Sequence, residues 1–270
     1  MSTLEIPLRA SRHGQQPAQQ PPPPPGPSRR VFVHDVMGTA VSIHVRTTDP
    51  DDPVLDAASE HVHSHLRRVD RTLSTWRADS DLLRLQHGEL DADAAHPWVA
   101  EVTELCLEAE DRTDGLFRAW RSRDGGRPTF DPTGLVKGWA VSAAAAHLEE
   151  VPGIAFSVGA GGDVVVGTGR GWDGPAPQWR IGIEDPRVRG RIADVVTLCR
   201  GAVATSGAAA RGAHIVDPRT GAGVNRPGSA TVVGPDLLWA DVWATAAFVD
   251  PARAGRLLEA RDPAYRLVLL

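Results

Sequence analysis

Val41, Ile43 and Val45 alternate with polar residues just after Met37-Gly38-Thr39, which predicts a half-buried strand entered from a turn. Immediately downstream the period changes. Leu55, Ala58, Val62, Leu66, Val69 and Leu73 recur at spacings of three and four, with Asp52 placed to cap and Pro53 suited to a first turn, so a long amphipathic helix is expected. Shorter helices are predicted over Asp81–Gln86, Val99–Arg112 and Leu135–Glu149, the last opened by Asp131-Pro132-Thr133-Gly134. The second half switches to short β-type runs at Ile154–Val158, Val164–Val166, Trp179–Ile183, Val195–Leu198, His214–Val216 and Thr231–Val233. Helices at Asp236–Phe248 and Ala252–Ala260 and a strand at Arg266–Leu270 follow. Strands grouped beside helices, without regular βαβ alternation, predict an α+β architecture.

Composition adds an N-terminal boundary. Residues 1–29 hold eight prolines, four glutamines and almost no large apolar side chains, and read as a disordered tail ahead of a domain spanning 30–270. The chain has a formal net charge of −5 without clustered positive charge, which argues against nucleic-acid binding. No run approaches the roughly 18 apolar residues of a membrane span, and the first thirty residues lack a secretion signal's apolar stretch, so neither a membrane anchor nor export is expected. Cys106 and Cys199 form no paired motif and are expected to be buried thiols in the cytoplasm. Among the 29 basic residues only Lys137 is lysine, which marks either a position where a compact ammonium matters or a chance survivor in an arginine-rich chain.

Four segments carry candidate chemistry. In Asp131-Pro132-Thr133-Gly134-Leu135-Val136-Lys137-Gly138 a loop enters a helix whose N-terminus and lysine suit an anion, against the alternative of an ordinary capped helix with a surface lysine. Gly159-Ala160-Gly161-Gly162-Asp163 follows a strand but fails the dinucleotide fingerprint, and taken alone reads as a tight turn. Asp241 and Thr245 lie one helical turn apart, an oxygen pair that suits Mg²⁺; the alternative is an exposed acid and a threonine bonded to its own helix. In His214-Ile215-Val216-Asp217, preceded by Ala204-Thr205-Ser206-Gly207, His214 is a candidate base or a structural histidine. Two further patterns read as structure. His61, His63 and His65 place only two imidazoles on one helix face, and Thr231 in Asn225–Thr231 opens an apolar strand.

Taken in order, these segments resemble the FAD:protein FMN transferases, the ApbE family. The matching blocks are Met37-Gly38-Thr39, Leu73–Arg77 with Asp79–Leu82, Asp114–Phe117, the Lys137 segment, Gly159–Asp163, Trp179–Pro186, Ala204–Gly207, His214–Gly221, and Ala240-Asp241 with Thr245. The resemblance implies a two-lobed α+β domain, related to the T-fold, with mixed or antiparallel sheets flanked by helices and FAD bound between the lobes. It implies FAD contacts at Met37, Trp76, Asp131, Lys137, Gly161, Gly162, Asp163, Thr205 and Ser206, with Trp76 standing where the family stacks an aromatic ring on flavin or adenine. Asp241 and Thr245 match the family's magnesium-binding side chains, with the carbonyl of Val136 completing the set, and His214 matches a histidine that assists catalysis. The implied reaction is attack by a threonine hydroxyl of an acceptor protein on the FMN-side phosphorus of FAD, with release of AMP. Ser142 and Gly159 depart from the family's usual Asp and Asn. The alternatives are a metal-dependent FAD pyrophosphatase giving FMN and AMP, and a flavin-binding module without turnover.

Overall fold

The protein is described by a computed structural model covering residues 28–121, 128–207 and 215–270. A seven-stranded sheet contains, in spatial order, β1 (Ser28–Val36), β2 (Thr39–Thr47), β5 (Ala155–Ala160), β6 (Asp163–Thr168), β9 (Gly201–Gly207), β10 (Ser229–Gly234) and β11 (Arg266–Leu269). Every neighbouring pair is antiparallel. Two small ribbons join β3 (Trp120–Arg121) to β4 (Thr129–Phe130), and β7 (Trp179–Glu184) to β8 (Ile192–Leu198). The helices are α1 (Pro53–Leu73), α2 (Asp81–Gln86), α3 (Trp98–Arg112), α4 (Thr133–Glu149), α5 (Leu237–Val249) and α6 (Pro251–Arg261). The α+β expectation holds, with antiparallel pairing throughout the described strands.

The amphipathic period of α1 is realised in full. Leu55, Ala58, Val62, Leu66, Val69 and Leu73 are all buried, and Asp52 accepts the Val54 N–H at 2.9 Å as the N-cap. By contrast α4 and α5 are apolar nearly all round, because each lies between the sheet and other helices. On another part of the sheet, the β7–β8 ribbon closes a smaller core around Ile183, Val196, Val203 and Val233.

Several elements depart from the sequence reading. β1 was not expected: Arg30 and His34 share its partly covered face with Phe32, while Val31 and Val33 are exposed, so apolarity does not follow burial. β1 includes Ser28 and Arg29, two residues read from the sequence as tail. β9 is a strand of small residues, buried along most of its length, where packing decides and propensity does not. Cys199 is exposed, whereas Cys106 is buried as expected. Of the expected strand His214–Val216, His214 lies outside the described residues, and Ile215 and Val216 form no strand: Val216 makes only an isolated bridge to Gly223.

Gly138 sets the approach of α4 to α5. A Cβ there would lie 2.9 Å from the Leu237 carbonyl oxygen, 3.0 Å from Asp241 Cβ and 3.1 Å from Leu238 Cα. Two of these neighbours are backbone atoms, so relief requires moving a helix. Gly138→Val should cost about 2 kcal/mol in urea unfolding, the scale of core overpacking; a wild-type midpoint would show that the helices have slack.

Candidate active site

The sheet register brings dispersed segments to one end. The turn of Met37 (φ 55°) and Gly38 (φ 68°) links β1 to β2, and that of Gly161 (φ 58°) and Gly162 (φ 99°) links β5 to β6. Two central residues with positive φ make these the tight turns whose twist matches a hairpin. Val41 pairs with Ala160, Ala160 with Asp163, and Val164 with Val203. Thr205 and Ser206 therefore reach the same end as both turns. Gly161 and Gly162 thus have a structural role as a hairpin, and Met37 holds a conformation that disfavours a side chain.

Asp163, the first residue after the glycine turn, is completely buried. Its Oδ1 accepts the Thr205 N–H at 3.0 Å, and its Oδ2 accepts a hydrogen bond from the Lys137 ammonium. Lys137 also lies 3.3 Å from Asp241 Oδ2. That oxygen is shut off from solvent and lacks a hydrogen-bond partner, so the contact is one of charge without hydrogen-bond geometry. One ammonium thus faces two carboxylates, a formal excess of one negative charge in a buried place. Burial pushes the Asp241 carboxyl up to about 7; Lys137 opposes the shift and Asp163 adds to it. Burial also acts against the Lys137 charge, but Asp241 and Asp163 outweigh it and hold its pKa above the usual lysine value.

Around this cluster the hydroxyls form a second network. Ser206 Oγ lies 3.2 Å from Thr245 Oγ1, and Thr205 Oγ1 lies 2.9 Å from Thr231 Oγ1. The structure therefore brings together Lys137, Asp163, Asp241, Thr205, Ser206 and Thr245. It also corrects both simple alternatives for these side chains: Asp241 is buried, not an exposed acid, and Lys137 is no isolated surface lysine. Val136 is buried next to Lys137; within a helix its carbonyl accepts one amide, which leaves a second lone pair. Thr231 is fully buried in β10, as expected.

Other expected site residues stand apart. Trp76, two residues past the α1 C-cap Ser74, is 92% exposed. Asp70, in the last turn of α1, shares a cleft of about 460 Å³ with the Met37–Gly38 turn. Asp131 Oδ1 accepts the Thr133 hydroxyl at 2.6 Å and its N–H at 3.2 Å, so it fastens the entry to α4. Its Oδ2 lies 3.8 Å from Arg121, which lines a larger cleft of about 720 Å³ with Arg118, Trp120, Val216 and Thr220. Sequence reading missed Trp120 and Arg121, since a two-residue strand leaves no periodicity; the aromatic-basic pair itself was the available signal. His214 lies outside the described residues.

Among the described residues no group of three or more His, Cys, Asp or Glu stands ready to hold a metal. His65 Nδ1 is 3.3 Å from His147 Nε2, and burial, with help from His147, lowers the His65 pKa to about 4. His65 is thereby held neutral at pH 7 where it meets His147 between α1 and α4. At Asp241 and Thr245 the donors are oxygens and few. They fit a hard cation that keeps water or substrate oxygens, as Mg²⁺ does, and the unpartnered Asp241 Oδ2 fits a missing positive charge.

The model of the ApbE family matches residues 37–121 and 118–269. The chain belongs to the ApbE family. A curated relative, the FAD:protein FMN transferase of Klebsiella pneumoniae (strain 342), is 24% identical over 81% of this chain and 79% of its own. The flavinyl transferase ApbE of Pseudomonas stutzeri, in its apo form, superposes with a TM-score of 0.71 at 22% identity, covering 91% of this chain and 95% of that one. For the ApbE protein of Thermotoga maritima the TM-score is 0.70 at 21% identity, over 90% and 94%. The ApbE fold is thus shared across nearly the whole chain. No helix among the described residues is long and apolar enough to cross a membrane.

The raised Asp241 pKa has a defined consequence for stability. Between the ordinary value of 3.8 and about 7 the folded protein binds the proton that the unfolded chain has released, so this group's contribution falls as pH rises through that interval. With EDTA present, Asp241→Asn should gain stability relative to wild type from about pH 4 to 7 and run parallel above it. Denaturant midpoints across pH check this; parallel curves throughout would remove the proposed burial strain.

Proposed function

We propose that this ApbE-family chain is an FAD:protein FMN transferase, moving the FMN moiety of FAD to a threonine hydroxyl of an acceptor protein with Mg²⁺ bound at Asp241. The observation that carries this reading is the buried, unpartnered Asp241 Oδ2 beside Lys137, in a chain that shares its family and fold with named flavin transferases.

Asp241 Oδ2 and Thr245 Oγ1 would hold the ion, with the free lone pair of the Val136 carbonyl as a third donor. Bound there, Mg²⁺ would offset the diphosphate charge and the charge that develops on the leaving phosphate. Lys137 keeps Asp163 and Asp241 from repelling each other, so that both carboxylates remain fixed at the sheet end. Trp76 offers its open face to an aromatic ring of FAD, while Met37, Asp131 and the turn at Gly161–Gly162 contribute to the nucleotide cradle. Thr205 and Ser206 border the same place through Asp163 and Thr245.

The acceptor hydroxyl oxygen forms a bond to the FMN-side phosphorus as the anhydride bond to AMP breaks. His214 is assigned the hydroxyl proton, and AMP leaves as the phosphate monoester. Replacing the acceptor hydroxyl by water would give FMN and AMP, the hydrolytic alternative.

Incubated with FAD, Mg²⁺ and an acceptor protein, the purified chain should add an FMN-sized mass to an acceptor threonine. Asp241→Ala should lower the rate at least about a hundredfold, the scale of losing charge stabilisation at a transition state. Mass spectrometry of the acceptor with chromatography of the nucleotides reads both. Free FMN without labelled acceptor would mean hydrolysis, and unchanged FAD would mean a binding module. An Asp241→Ala variant at wild-type rate would end the metal assignment.

A further inference from the structure

The crossing of α4 and α5 has two polar rungs. Lys137 faces Asp241 at one end, and at the other Ser142 Oγ lies 3.0 Å from Asp236 Oδ2. The residues are five apart on both helices and run in opposite directions, so the rungs stand about 7.5 Å apart along the helix axis. Gly138 fills the interval, where its missing Cβ lets the backbone of Leu237 and Leu238 come close.

The Ser142 rung is tied into the start of α5. Its hydroxyl donates to Asp236 Oδ2 and accepts the Leu237 N–H at 3.3 Å, while Asp236 Oδ1 accepts the Trp239 N–H at 3.3 Å. One side chain from α4 therefore holds both the capping carboxylate and a first-turn amide of α5. Close packing at Gly138 limits how near the helices come; the Ser142 bonds fix where α5 lies along α4. Where α5 lies along α4 also decides where Asp241 Oδ2 stands relative to the Lys137 ammonium, 3.3 Å away.

We infer that Ser142 is a positioning residue for the cation-binding carboxylate, acting through Asp236 and the first turn of α5. The inference rests on the metal assignment made above. With Asp236 already supplying a carboxylate, a second one at 142 would stand against it with no proton to share. A hydroxyl both donates and accepts, as a group set between the Asp236 carboxylate and the Leu237 N–H must.

Mn²⁺ serves as the probe, titrated alone into the full-length protein and followed by the EPR signal of the free ion. Ser142→Ala and Ser142→Asp should each weaken Mn²⁺ binding about tenfold, the lower end of what loss of a supporting contact costs a metal site. The exchanged pair Ser142→Asp with Asp236→Ser restores one acid and one hydroxyl and should return affinity to within about twofold of wild type. Asp52→Ala, which removes the cap of the distant α1, controls for general destabilisation and should leave Mn²⁺ affinity unchanged. Wild-type affinity in Ser142→Ala, alongside loss in Asp241→Ala, overturns the positioning role alone. So does a double variant no better than Ser142→Asp. If Asp241→Ala itself binds Mn²⁺ normally, the metal assignment falls, and this inference with it.

Discussion

Two carboxylates held around a single ammonium are the arrangement on which this structure turns. Asp163 is delivered by a hairpin of the sheet, Asp241 by α5, and Lys137 by α4, so the cluster fastens three separate elements. Burial makes each charge costly, and one lysine leaves the sum formally negative. An added proton or an added cation relieves that excess. The raised Asp241 pKa is the protonic answer, and a divalent ion seated between Asp241 and Thr245 is the one we assign to catalysis.

The surrounding fold serves to keep these groups in register. Antiparallel pairing carries the ends of β2, β5, β6 and β9 to one edge, where tight turns expose backbone and short polar side chains. Gly138 allows α4 and α5 to touch along their backbones, which shortens the distance that Lys137 must span. The ring of Trp76 is left in water beyond the capped end of α1, free to meet a planar ligand.

Much of this was legible from the sequence where burial follows a simple period. The apolar stripe of α1 and the helix Asp81–Gln86 emerged with little error, because one covered face writes a regular pattern. β1 and β9 did not, since polar residues on a partly covered face and small residues in a buried strand erase that pattern. At the site, ordered motifs pointed to Lys137, Asp163, Asp241 and Thr245 individually. What spacing could not show was their mutual contact. Lys137 and Asp163 are 26 positions apart and Lys137 and Asp241 are 104, so the pairing exists only through the sheet register and the helix crossing. The same reason hid Asp236 behind Ser142, and Arg121 behind Asp131.

Anomalous diffraction from crystals soaked with Mn²⁺ and FAD tests the account most directly. The account predicts a manganese peak within bonding distance of Asp241 Oδ2 and Thr245 Oγ1, touching the FAD diphosphate. A peak coordinated elsewhere, with Asp241 still facing only Lys137, would contradict it.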